Sequence, residues 1–113
     1  MVGSYVPQAG DVVWLDFDPQ SGREQAKRRP ALVLTDRSYN RASGLAVVCP
    51  LTSKRKPYPF ALPVVLDKVG GAVLTDHLKS LDWAARKAVF HSKADPALVK
   101  KVRGYVAVLL GIR

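Results

Sequence analysis

From Asp11 to Phe17 apolar residues fall on both sides of an extended segment, with Val13, Leu15 and Phe17 on one side and Val12, Trp14 and Asp16 on the other. Period-two placement of this kind predicts a first strand covered on both faces. Asp18-Pro19 ends it, and Gln20 to Arg29, polar, broken by Gly22 and holding four basic residues, predicts a long exposed loop. Pro30 is expected to open a second strand, Ala31 to Leu34. A short turn or helix near Asp36 to Asn40 and a break at Gly44 precede a third strand, Leu45 to Cys49. A second basic loop, Thr52 to Pro59, follows it.

Phe60 to Leu66, Gly71 to Thr75, Ser80 to Trp83 and Lys87 to Phe90 read as further short strands, with Gly70-Gly71 as the clearest turn signal. The period then changes. Asp95-Pro96 has the form of an N-cap followed by proline in the first helical turn, and Leu98, Val99, Val102, Val106, Leu109 and Leu110 recur at helical spacing. Several short strands and one terminal helix predict an α+β chain that is mainly β. Its sheet should be small, antiparallel and strongly bent, or closed into a barrel, with the C-terminal α-helix over one open side.

With 113 residues, 48% of them hydrophobic, the chain is expected to fold as one domain over residues 1–113. No apolar run approaches a membrane span and Met1 to Gly10 lacks the pattern of a secretory leader, so a cytoplasmic location is expected. The single cysteine, Cys49, lies in the apolar run Leu45 to Leu51 and reads as a buried, inert thiol.

Charge changes the picture. Eighteen Lys and Arg against nine Asp and Glu give a formal net charge of +9, and a polyanionic partner follows. The basic residues cluster in the two long loops, Arg23, Lys27, Arg28 and Arg29 in one and Lys54, Arg55 and Lys56 in the other. Converging at one rim of a small barrel, they would form a positive concavity. Tyr58 and Phe60 lie beside the second cluster. Rings next to a basic groove suit single-stranded nucleic acid, since bases stack on them while phosphates meet the charges. Phe60 reads better as a core residue; Tyr58, between two prolines, fits a stacking platform and a packed ring equally well.

Metal catalysis needs several converging carboxylates, and Asp16 and Asp18 have no obvious third partner. One cysteine and the separated His77 and His91 supply no zinc set, and nothing in the histidines' setting marks an acid-base pair, so no cofactor is expected. Glu24 is the one glutamate of the sequence and lies among Arg23, Lys27, Arg28 and Arg29. A carboxylate held ionised in a phosphate-binding loop fits a general base for a ribose 2′-hydroxyl, and equally a loop salt bridge.

The run Gly10 to Pro19, then Gly22, Glu24-Gln25, Arg29-Pro30-Ala31-Leu32-Val33-Leu34, Tyr39-Asn40, Cys49-Pro50-Leu51-Thr52, Tyr58-Pro59-Phe60, Gly71-Ala72-Val73, Asp76, Lys79-Ser80, Trp83 and Arg86 resembles the MazF/PemK family of toxin-antitoxin ribonucleases. The likeness runs in order over nearly the whole chain. It implies a Src-homology-three-like barrel with a C-terminal helix, a homodimer, and sequence-specific, metal-independent cleavage of single-stranded mRNA to a 2′,3′-cyclic phosphate and a 5′-hydroxyl. It also implies a cognate antitoxin, whose acidic disordered tail should cover the basic rim. On this resemblance Arg29 is the catalytic arginine, Thr52 the active-site threonine and Glu24 an acid-base candidate. Arg23, Lys27, Arg28, Lys54, Arg55, Lys56, Tyr58 and Lys79 are expected to bind RNA.

Two departures limit the transfer. Arg28 stands where some relatives have histidine, and Leu74 stands where one branch has an arginine two positions before the residue aligned with Asp76. Asp76 is accordingly read as bracing loops or the dimer. Two other functions stay open: a nucleic-acid-binding module that does not cut, and a gyrase-poisoning toxin of the same fold. Against the second, the tail Leu110 to Arg113 lacks that branch's tryptophan while the nuclease residues are kept.

Overall fold

The structure, a computed structural model, describes residues 5–17, 28–53, 58–66 and 69–112. Its strands are β1 (Asp11–Asp16), β2 (Arg28–Val33), β3 (Leu45–Thr52), β4 (Ala61–Leu66), β5 (Val69–Leu74), β6 (Lys79–Asp82) and β7 (Val89–Lys93). A short helix, α1 (Arg37–Ser43), joins β2 to β3, and α2 (Pro96–Leu110) follows β7. The strands run antiparallel in the order β4-β5-β3-β2-β1-β7, and β6 also pairs with β3.

β3 organises this curled sheet. Along one side it pairs with β2, from Val33↔Val48 to Ala31↔Pro50. Along the other it pairs first with β6, from Leu45↔Asp82 to Val48↔Lys79, and then with β5, at Leu51↔Val73 and Thr52↔Ala72. Neither face of the sheet is left bare. Val13, Leu15, Phe17, Ala31, Val33, Ala46, Val48 and Leu81 form one buried cluster. Val12, Leu32, Leu34, Cys49, Leu51, Leu62 and Val73 form the other, closed by Val99 and Val102 of α2. The alternation read at β1 therefore has its cause: Val13, Leu15 and Phe17 meet one core, and Val12, on the other face, meets the second.

The predicted helix forms as its cap demands. The Asp95 carboxylate accepts from the Ala97 N–H at 3.0 Å, and Pro96 occupies the first turn. Helical spacing overstates its burial. Leu98, Tyr105 and Val106 pack at the edge of the core, but Val108, Leu109 and Leu110 of the last turns are exposed, as is Ile112 beyond them.

Three further expectations are corrected. Gly70 and Gly71 lie within β5, because the chain reverses earlier, between the paired Leu66 and Val69. β2 begins at Arg28, two residues before Pro30; the β2–β3 ladder ends next to that proline, at Ala31↔Pro50, where a missing N–H is tolerated. The last strand starts at Val89 and runs to Lys93, since Trp83 to Lys87 form a turn.

Asp95→Ala removes the cap and should lower stability by about 1 kcal/mol, read as a lower urea midpoint with an unchanged denaturant slope.

Candidate active site

Arg29 is exposed at the start of β2, opposite Leu15 of β1. Thr52 is half-buried at the end of β3. The β2–β3 ladder ends at Ala31↔Pro50, and Arg29 and Thr52 each lie two residues beyond it, Arg29 on β2 and Thr52 on β3. Strand alternation also gives the two a common face: Ala31 and Val33 share Arg29's, and Ala46 and Val48 share Thr52's, in one buried cluster. Lys79 of β6 follows the same parity, two residues before the buried Leu81. Its ammonium lies 5.7 Å from the centre of the Phe17 ring, a cation–π contact at the exit of β1. Arg29, Thr52 and Lys79 thus crown one core at one end of the sheet.

Arg28 is placed differently. It lies opposite Asp16, and its parity is that of Leu32, in the helix-side core. Its guanidinium donates to Asp16 Oδ1 at 2.9 Å, to the Lys87 carbonyl at 2.6 Å and to the Trp14 carbonyl at 3.2 Å. Tyr58 is half-buried, and its hydroxyl donates to Asp76 Oδ1 at 2.8 Å. Burial raises its pKa, and the bond to Asp76 and that carboxylate's charge push the same way. The Thr75 hydroxyl donates to the Phe60 carbonyl at 2.7 Å, and the Phe60 ring meets Tyr105 of α2 edge-on with centroids 6.3 Å apart. Asp76 therefore braces the start of β4, and Phe60 is a packing residue.

Cys49 is buried, and burial, with the Asp76 charge second, pushes its thiol up to about 12. An inert cysteine follows, since the thiolate is the nucleophile. Among the described residues no group of three His, Cys, Asp or Glu side chains gathers as a metal site would require. Glu24, Arg23, Lys27, Lys54, Arg55 and Lys56, all named as candidates from the sequence, lie outside the described residues.

This frame has known counterparts. A family model described as the PemK-like, MazF-like toxin of type II toxin-antitoxin systems matches residues 8–110. The chain belongs to that family. It is 39% identical to the endoribonuclease toxin MazF of Escherichia coli K12 over 98% of this chain and all of the relative. Among solved structures, MazF from Deinococcus radiodurans superposes with a TM-score of 0.86 at 47% identity, covering 96% of this chain and all of that one. A MazE-MazF structure from the same organism gives 0.84 at 42% identity, covering 97% of this chain and all of that one. These MazF likenesses extend over β1, β2 and β3, so the strands that carry Arg29 and Thr52 belong to the part that is shared.

One contributor had no functional signal in the sequence. A methyl group on Gly71 would stand 2.4 Å from the Thr52 carbonyl oxygen and 3.2 Å from its carbon, both backbone atoms. Only a residue without a side chain lets β5 approach the end of β3 this closely. Gly71 reads as a turn residue in the sequence because the close approach involves Thr52, nineteen residues earlier in the chain.

Gly71→Ala should shift Thr52, lowering stability by about 1–3 kcal/mol and RNA cleavage by roughly tenfold to a hundredfold. Gly70→Ala, with nothing within 4 Å of the added carbon, should change neither cleavage nor the urea midpoint by a comparable amount. In the same preparation, Cys49 should resist iodoacetamide at pH 8 until the chain is unfolded.

Proposed function

We propose that this MazF-like endoribonuclease toxin cleaves single-stranded mRNA at particular sequences without a metal ion. The 2′-oxygen attacks the adjacent phosphorus, leaving a 2′,3′-cyclic phosphate and a 5′-hydroxyl. The observation that carries this reading is that Arg29 lies at the start of β2 and Thr52 ends β3, neighbouring strands, each two residues past the last β2–β3 pair and, by strand parity, on the face of one buried cluster.

In-line transfer builds charge on the non-bridging phosphate oxygens, and a fixed fork of donors meets such charge best. Arg29 takes that role, and the Thr52 hydroxyl holds a non-bridging oxygen. Glu24 accepts the 2′-hydroxyl proton. Lys79, with Arg23 and Lys27 from one loop and Lys54, Arg55 and Lys56 from the other, draws in the phosphate backbone, and Tyr58 offers a ring for stacking. Asp16, the carboxylate at the end of β1, is already paired with Arg28, which favours chemistry without a cation.

The biological partner in this reading is an antitoxin, which the match to MazE-MazF structures supports, and charge favours an acidic tail that covers the basic rim. A second copy of the chain is the other partner. The exposed Val108, Leu110 and Ile112 at the end of α2 supply apolar surface for such a homodimer. Residues 1–113 act as a single domain in the cytoplasm, where mRNA is available. Among the described residues no helix is long and apolar enough to cross a membrane.

The test is Arg29→Ala in single-turnover cleavage at saturating protein, with EDTA present. The melting temperature should hardly move, because Arg29 is exposed. The rate should fall by about two to three orders of magnitude, and Arg29→Lys should recover little of it. The wild-type products should carry 5′-hydroxyl ends. A near wild-type rate for Arg29→Ala, or loss of wild-type cleavage in EDTA restored by magnesium, overturns the assignment.

A further inference from the structure

We infer that Arg28 is a positioning residue: with Asp16 and Arg86 it ties the end of β1 and the start of β2 to the Trp83–Lys87 turn and sets the place of Arg29, without itself touching RNA. The inference rests on the catalytic reading of Arg29 given above. A basic residue beside the catalytic arginine invites the opposite assignment, but three observations weigh against it.

The first is direction. Adjacent residues in a strand point to opposite faces, so the face that Arg29 shares with Thr52 is not the one that carries Arg28.

Occupancy is the second. One guanidinium nitrogen meets Asp16 Oδ1, and the other meets the carbonyls of Trp14 and Lys87. The carboxylate offsets the cation, and three of the five guanidinium N–H groups are taken by acceptors from β1 and from the turn before β7. Lys87 has φ 58°, alone at positive φ among the described non-glycine residues. A side chain in that conformation is held by its surroundings, and Arg28 supplies part of the hold.

The third is what the clamp joins. From the other direction, Arg86 donates to the carbonyls of Asp16, at 3.2 Å, and Phe17, while its own carbonyl accepts from the Asp16 N–H at 3.0 Å. Phe17 is the last described residue before the segment that holds Glu24, and Arg28 is the first after it. Both ends of that segment are therefore tied to the Trp83–Lys87 turn, and Arg29 is the next residue along.

The experiment measures three variants, Arg28→Ala, Arg28→Lys and Asp16→Asn, by single-turnover rate at saturating protein, by the salt dependence of RNA binding and by melting temperature. Arg28→Ala should slow cleavage by roughly tenfold to a hundredfold, as a displaced catalytic group does. It should leave the log-log salt slope unchanged, and the melting temperature should drop by only a few degrees, because the Arg28–Asp16 pair is partly exposed. Arg28→Lys should stay slow, since a point charge cannot reach three acceptors at once. Asp16→Asn should slow cleavage as well, and the double variant should be no slower than Arg28→Ala alone.

A phosphate contact gives a different set of results. Arg28→Ala would then lower the salt slope by about one and cleave normally at saturation, while Asp16→Asn, by releasing a cation, would tighten binding. Either pattern overturns the proposal, as does an Arg28→Ala that changes neither rate nor slope. Should Arg28→Ala not fold, the sign of the Asp16→Asn effect decides alone. Failure of the catalytic reading shows separately, as normal cleavage by Arg29→Ala with Arg28 intact.

Discussion

β3 changes partners on one side midway along its length, from β6 to β5, and keeps β2 on the other only as far as Pro50. A strand that does this must bend, because its two halves belong to ladders with different directions. The bend curls the sheet until each face can enclose a core. The β2–β3 ladder stops at Pro50, and Thr52 stands two residues farther on, half-buried and paired with Ala72 of β5. The absence of a side chain at Gly71 is what allows the second ladder to close against Thr52.

Much of this was legible in the sequence because it is local. The two-sided pattern of Val12 to Phe17 states in one dimension that the strand has a core on each face. Asp95-Pro96 states its own cap, which the Asp95 carboxylate makes with the Ala97 N–H. Cys49 within an apolar run is as buried as its neighbours imply.

What the sequence hid depends on contacts between distant segments. Gly70-Gly71 has the composition of a turn, and only the approach of the Thr52 carbonyl explains a glycine inside β5. Arg28 and Arg29 are indistinguishable by type and both exposed, yet their parity differs, and Arg28 is bonded to Asp16 and Lys87. Helical spacing could not tell which turns of α2 would meet the sheet, and its last apolar residues do not. Arg29 and Thr52 came from the family resemblance; their shared face is a property of register, which composition does not encode.

The pairing of Asp16 with Arg28 has a consequence for how such a protein can diversify. A loop whose two ends are already fastened to the body of the fold contributes little to holding that body together. Closing a loop of twice the length costs only about 0.6 kcal/mol more. A change in the length of the segment between residues 18 and 27 should therefore cost the sheet little, so long as Glu24 and the basic residues it carries are kept. In this architecture the anchor next to Arg29 does not depend on how long that segment is.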